Sequence, residues 1–428
     1  MSDFQVTRRE FVQTAGMGIA GAAALSGLPT IVSASTHPIM GPPGGRRVVI
    51  IGGGFGGNFV AVTLRKLDPR AEIVVIEKHP FFISGPGSME YVFGLASLDE
   101  ITRGYRALSA QGIKMVKAEV EAIEPDKNRV RTSVGSLDYN YLVVTSGIRI
   151  AHEEIAGLAE NMGVNAHPYD KSSIVDLRHR IEAYQGGNIV MSVPPAPFKC
   201  PPGPYECAAL FAELIKGKGL KGKLILIDAG GAPQPPPVAK GFQDAINFTY
   251  ADQIEYVTNN KVVAVEPGSG TVKTDKGQSY KYDLLSLIPP NKAAAFIKEA
   301  GLGDPFVAIN PANFQSAKFQ NIYAVGDAAA TPFTKSAYVA SVSGKVCAHA
   351  IARAMGAPVG PPPPMHNICY PYLSAKTAMM VRVDWSVTVE EGKPKIGAKA
   401  ASDINGTAQS VALRKQWERG LWREMFGA

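Results

Sequence analysis

The chain has 428 residues, 46% of them hydrophobic and 19% charged, which excludes a disordered protein and leaves room for two or three packed domains. Its formal net charge is +7, but the lysines and arginines are scattered and form no stripe, so nucleic acid is not the expected partner. Four cysteines, Cys200, Cys207, Cys347 and Cys369, stand in no C-x-x-C pair and no C-x-x-C-H haem site. No metal centre and no c-type haem is expected on this chain.

The first residues read as a processing signal. "TRREFVQ" (Thr7–Gln13) carries the pair Arg8 and Arg9, a Gly/Ala-rich apolar run follows to Leu28, and "VSA" closes it with small residues. Basic, apolar and small residues in that order form an export signal, and the arginine pair points to the twin-arginine route. The expectation is a signal over residues 1–34, cleaved after Ala34, and a periplasmic protein that takes up its cofactor before export. The apolar run falls short of the roughly 20 residues that span a bilayer. No other long apolar run follows, so no integral membrane segment is expected in the mature protein. The compartment is oxidising and permits a disulfide.

"RRVVIIGGGFGGNFVAVTLRKLDPRAEIVVIEKHP" (Arg46–Pro80) is the most informative segment. The unbroken run "VVII" reads as a buried parallel strand. Gly52, Gly54 and Gly57 follow as G-x-G-x-x-G: the first for a tight turn, the second for close approach of a pyrophosphate, the third for helix packing. The helix from Phe55 would present its N-terminus to the phosphates. A second strand, "EIVVIE", ends at Glu77, whose carboxylate can accept from ribose hydroxyls and so favours FAD or NAD over NADP. The position near the mature N-terminus favours FAD. "YNYLVVTSG" (Tyr139–Gly147) and "NIYAVGDAAA" (Asn321–Ala330) look like the two later flavin segments, with Asp327 placed for the ribitol chain. Phe55, Lys78, Val120, Ser146, Gly147 and Gly326 complete the expected cofactor-binding positions.

A second Rossmann-like domain is expected between those segments, at residues 151–280. Its strand near Ile189 should lead into another glycine-rich turn if it bound a nicotinamide. It leads instead into "SVPPAPFKCPPGPYEC" (Ser192–Cys207), and proline has no N–H with which to cradle a phosphate. "LILIDAGGAPQPPP" (Leu224–Pro237) also lacks the spacing. The domain is therefore expected to carry no nicotinamide site, and electrons to enter from another donor.

"APFKCPPGPYE", "LIPP", "VGDA", "PFTKSAYVASVSGKV" and "HNICY" together resemble the flavoprotein subunit of flavocytochrome c sulfide dehydrogenase, from about Arg46 to the end of the chain. Sulfide:quinone oxidoreductases are wider relatives. The resemblance implies a redox-active disulfide beside FAD, formed here by Cys200 and Cys369. Hydrosulfide would attack that bridge, leaving a persulfide on one sulfur and a thiolate on the other. The resemblance also gives Glu206 the handling of protons and places Lys335 near the flavin ring. Cys207 and Cys347 read as core residues. Several members of the family attach FAD through a cysteine, and Ser84 falls near that place; a serine is not expected to form the thioether, so noncovalent FAD follows.

The expected architecture is α/β: a discontinuous FAD-binding domain at 46–150 and 281–355, the second Rossmann-like domain, and a C-terminal α+β interface domain at 365–428. "GAPVGPPPP" (Gly356–Pro364) reads as a stiff linker. The terminal "LRKQWERGLWREMFGA" has helical amphipathic spacing and reads as a packed helix, with a membrane-surface or cytochrome-docking helix as alternatives. Three functions are consistent with these readings. The leading one is a sulfide dehydrogenase that passes electrons to a separate c-type cytochrome. The others are a sulfide:quinone oxidoreductase at the membrane surface and a redox partner that reactivates a sulfur-oxidising carrier.

Overall fold

The β-branched run after Arg46 forms strand β1 (Arg47–Ile51), buried along its whole length. The computed structural model describes residues 37–391 and 393–427, so the expected export signal lies outside the described residues. Helix α1 (Phe55–Leu67) follows, then β2 (Glu72–Glu77), helix α2 (Gly85–Val92), β3 (Lys114–Lys117) and β4 (Tyr141–Val144). A three-stranded antiparallel meander over 120–138 is inserted before β4.

The chain then builds a second unit. Helix α3 (Ser173–Ala183) leads into β5 (Ile189–Val193), α4 (Gly203–Lys218), β6 (Leu224–Asp228) and β7 (Ile254–Val257). Another antiparallel meander, over 262–281, precedes β8 (Leu284–Ser286). The four strands lie in the order β7-β6-β5-β8 and are all parallel. Because Leu284 pairs with Ile189, the last strand of this unit lies past the boundary at 280 expected from the sequence. The antiparallel meander separates it from the other three and hid the connection.

Strand β9 (Ile322–Ala324) returns to the first sheet, completing the parallel order β9-β4-β1-β2-β3. Helix α5 (Ala337–Ala354) packs on α1 across small residues, where Gly344 lies against the Gly56 carbonyl. The chain ends in a separate antiparallel sheet of β10 (His366–Cys369), β11 (Tyr372–Ser374), β12 (Thr377–Glu390) and β13 (Lys393–Thr407), followed by helix α6 (Ala408–Phe426). Helix α6 packs on β12 and on α1 through Leu421, Trp422, Met425 and Phe426, and its buried face also carries Ser410, Arg414 and Glu418. It is thus a packed terminal helix whose inner face is partly charged. Among the described residues no helix is long and apolar enough to cross a membrane.

Candidate active site: a dinucleotide crevice joined to two cysteines

The loops that follow β1, β2, β4 and β9 all leave the carboxyl edge of one parallel sheet, the edge where open α/β sheets bind ligands. Gly52 has φ +103°, and a Cβ there would lie 2.4 Å from the Thr145 carbonyl oxygen. A Cβ on Gly57 would come within 1.9 Å of the Gly52 oxygen, so strand and helix meet only through glycine. Gly54 caps α1, and a Cβ on it would meet nothing within 4 Å; the same holds at Gly147. Open space at these two positions is what a cofactor's backbone approach requires.

Glu77 is buried at the end of β2, where it accepts from the Gly53 N–H (2.8 Å) and the His79 N–H (2.8 Å). Ser146 Oγ and Asp327 Oδ1 are buried with no hydrogen-bond partner. Burial pushes the Asp327 carboxyl up, with Lys199 and Lys335 opposing. Two orphaned buried oxygens on the loops that border this crevice fit a bound dinucleotide. Gly326, with φ +66°, turns the chain just before Asp327. Phe55 stacks edge-on against Phe82, and Val120 packs on the apolar cluster of the first sheet. Lys78 is exposed and pairs with Glu119 at 3.4 Å.

The proline-framed turn after β5 holds Cys200 in the left-handed region, at φ +50°. For a residue with a Cβ that conformation costs about 1–2 kcal/mol. Its backbone is held on both sides: the N–H donates to the Lys335 carbonyl (2.6 Å), and the carbonyl accepts from Tyr169 Oη (2.8 Å) and the Gly203 N–H (2.8 Å). Lys335 in turn donates from Nζ to the carbonyls of Asp327 and Ala329, both at 2.7 Å. Burial lowers the Lys335 ammonium to about 8, against the pull of Asp327. The cysteine turn is thereby tied to the Gly-Asp segment of the dinucleotide crevice. Cys200 Sγ lies over Gly203 at the start of α4, where helix N–H groups favour a thiolate.

Cys369 ends β10 and packs with Cys200 on the same apolar cluster. All four cysteines are free thiols, so the two sulfurs are not bridged in this structure. Burial pushes both thiols up; for Cys200 the nearby Cys369 and Glu206 add to it, and Arg414 and Lys199 oppose it. Cys369 is raised to about 11, with Arg414 again lowering and Glu206 raising it. Cys207 and Cys347 are fully buried core residues of α4 and α5.

Glu206 is buried on the first turn of α4, and burial pushes its carboxyl up despite Arg414. Arg414 Nη1 forms a buried ion pair with Glu206 Oε1 at 3.0 Å and also donates to the Tyr370 carbonyl (2.7 Å). Arg414 also donates to the Pro86 carbonyl and stands over the Tyr372 ring at 4.5 Å. Its Nε is 3.4 Å from Glu90, which accepts from Tyr372 Oη at 2.6 Å. Ser84 is completely buried: it caps α2 by accepting from the Gly87 N–H, and its hydroxyl donates to Glu418. Sequence reasoning did not find Arg414, Glu90 or Glu418, because charges on an amphipathic helix read as solvent-facing.

The second unit ends β6 in an acid, Asp228, at the place where a nicotinamide ribose would be met. Both Tyr205 Oη (2.7 Å) and Tyr256 Oη (2.6 Å) donate to its Oδ2, and the Gly230 N–H donates to Oδ1. The carboxylate is spent inside the protein.

Residues 175–289 match the family described as sulfide dehydrogenase (flavocytochrome c) flavoprotein chain, central, and residues 46–181 match pyridine nucleotide-disulphide oxidoreductase. The chain is 25% identical over 401 residues to mitochondrial sulfide:quinone oxidoreductase of Dictyostelium discoideum, covering 89% of this chain and 87% of that one. It is 47% identical over 45 residues to the sulfide dehydrogenase (flavocytochrome c) flavoprotein chain of Chlorobaculum thiosulfatiphilum, covering 10% of this chain and 94% of that sequence. The structure of sulfide:quinone oxidoreductase from Aquifex aeolicus aligns with a TM-score of 0.72 at 20% identity, covering 89% of this chain and 91% of that one, which shows a shared fold. The chain therefore belongs to the pyridine nucleotide-disulphide oxidoreductase superfamily, as a flavoprotein oxidoreductase related to the sulfide:quinone oxidoreductases.

Proposed function

We propose that this protein oxidises sulfide at Cys200 and Cys369 and passes the electrons, by way of FAD, to a separate c-type cytochrome. One observation carries the reading: the Cys200 N–H is bonded to Lys335, whose Nζ is bonded to Asp327, so the cysteine turn and the flavin segment are one hydrogen-bonded assembly. FAD, when bound, supplies an acceptor that takes an electron pair and can release it singly. The residues that would hold it are Gly52, Gly54, Glu77, Ser146 and Asp327.

In the oxidised protein Cys200 and Cys369 would form a bridge. Hydrosulfide forms a bond to one sulfur, the bridge breaks, and the other sulfur leaves with the electron pair as a thiolate. Glu206, raised by burial, can hold a proton beside that pair. The proline turn fixes the Cys200 backbone while this happens. Asp228, already bonded by two tyrosines, argues that the second unit takes no nicotinamide.

A quinone acceptor is the second reading, favoured by the full-length similarity to sulfide:quinone oxidoreductases. The match of residues 175–289 and the Chlorobaculum thiosulfatiphilum sequence favour the cytochrome. Noncovalent FAD is part of the proposal, since Ser84 is committed to the α2 cap and to Glu418. Export to the periplasm by the twin-arginine route, with cleavage after Ala34, belongs to it as well. The test is anaerobic addition of sulfide to purified protein. Bleaching of the flavin is expected, followed by faster reoxidation with cytochrome c than with a quinone analogue; an unbleached flavin would sink both readings.

A further inference from the structure

The glycine loop after β1 is held from inside by two side chains that belong to no dinucleotide motif. Its first peptide, Gly52–Gly53, is fastened on both edges: the Gly52 carbonyl accepts from Thr145 Oγ1 (2.8 Å), and the Gly53 N–H donates to Glu77 (2.8 Å). The next peptide, Gly53–Gly54, is fastened at its carbonyl. That oxygen accepts twice, from Asn58 Nδ2 (2.9 Å) on the first turn of α1 and from Tyr105 Oη (3.0 Å) just before the short helix Arg106–Ala110. Asn58 and Tyr105 are both buried, so the carbonyl points into the core. The peptide is trans, and its N–H therefore points the opposite way. The Gly54 N–H is thus turned to the open side of the loop, where a Cβ on Gly54 would meet nothing within 4 Å. Tyr105 also accounts for glycine at the variable position between the first two motif glycines: a Cβ on Gly53 would lie 3.0 Å from its ring.

We propose that Asn58 and Tyr105 are positioning residues for the dinucleotide's pyrophosphate: by pinning the Gly53 carbonyl inward, they aim the Gly54 N–H at the phosphate oxygens. The proposal rests on the reading that this crevice binds FAD. Asn58 is completely buried, makes this one side-chain hydrogen bond among the described residues, and leaves its own Oδ1 without a partner. A buried amide used in that way is worse for the fold than an apolar side chain of its size, because the orphaned oxygen has lost its water. Its contribution is to the loop. Tyr105 donates to the same carbonyl, and burial together with Glu77 keeps its phenol protonated and a donor. Released from both, the Gly53–Gly54 peptide can turn its carbonyl toward the crevice and set a partial negative charge against the phosphates.

The test uses full-length protein purified with its flavin. FAD release into flavin-free buffer is followed by the gain of flavin fluorescence. The same chain stripped of flavin is titrated with ADP and with adenosine, which lacks the phosphates. Asn58→Leu and Tyr105→Phe are each expected to release FAD roughly two- to tenfold faster, the range of one hydrogen bond, and the double variant faster than either. Both should lose affinity for ADP and keep that for adenosine, whereas a merely structural fault would weaken the two alike. The flavin-free Asn58→Leu chain should melt at or above the wild-type midpoint, opposite in sign to its loss of FAD. A lowered midpoint there assigns Asn58 to the fold and overturns its positioning role. If Asn58→Leu does not fold, the proposal stands or falls on Tyr105→Phe, which leaves the ring in place. Unchanged FAD release, or an unchanged preference for ADP over adenosine, overturns the proposal alone. A wild-type chain that binds neither FAD nor ADP overturns the cofactor reading and the proposal with it.

Discussion

Asp327 and Ser146 each bury an oxygen that no neighbour satisfies, at a cost of about 1–3 kcal/mol apiece. A cofactor that meets both repays that cost on binding, and the dependence should be visible in purification. Asp327→Ala is expected to yield folded protein with little bound flavin, read from its visible absorbance, whereas Cys369→Ser should keep its flavin. Cys369→Ser should instead lose sulfide-dependent bleaching; retained bleaching would mean the second sulfur is not needed. Gly52, Gly54, Gly57, Glu77 and Asp327 were legible in the sequence because each belongs to a short motif whose spacing reports a local backbone need. Arg414 was not. Its partners Glu206 and Glu90 lie hundreds of residues earlier, and nothing local in "VALRKQW" distinguishes a guanidinium facing inward from one in water.

Elements carry the next level of dependence. Helix α2 begins at Ser84, which accepts from the Gly87 N–H and donates to Glu418. Ser84→Ala removes the cap and leaves a buried carboxyl short of a donor, so a loss of about 1–2 kcal/mol is expected in urea unfolding. The segment between the Rossmann-like units adds a pH-sensitive hold on the cysteine turn. His167 is buried and neutral, accepting the Tyr169 N–H at Nδ1 (3.2 Å), while Tyr169 Oη supports the Cys200 carbonyl. Burial lowers His167 to about 4 from the ordinary 6.5, with Asp170 opposing. Between those values the unfolded chain binds the extra proton, so stability falls as pH drops through that window. A thermal midpoint that declines from pH 6.5 to 4 is expected, and His167→Gln should flatten the decline; an unchanged slope would show that other groups govern it. Nothing in "NAHPY" signals this hold, since a histidine there could equally be exposed.

Across the whole molecule, two parallel sheets of related build differ at their carboxyl edges: one leaves open space at Gly54 and Gly147, the other bonds its acid, Asp228, to two tyrosines. Anaerobic NADH is accordingly expected to leave the flavin oxidised under conditions where sulfide bleaches it. The architecture was readable in outline because buried parallel strands declare themselves as unbroken apolar runs. The end of the second unit was misplaced because β8 joins its sheet only after the meander over 262–281. The prolines of the β5–α4 turn were visible in the sequence, but the bonding of Asp228 was not: Tyr205 and Tyr256 reach it from two different elements.

That pair of tyrosines has a consequence for redesign. Suppose the second unit were to be turned to nicotinamide binding by small steps. Replacing the prolines of the β5–α4 turn would restore backbone donors but release Cys200 from its enforced geometry. Freeing Asp228 for a ribose requires losing both phenol donors, and removal of either one first leaves a buried acid half satisfied. The turn and the acid would therefore have to change together, so no single substitution is expected to turn this unit to a nicotinamide.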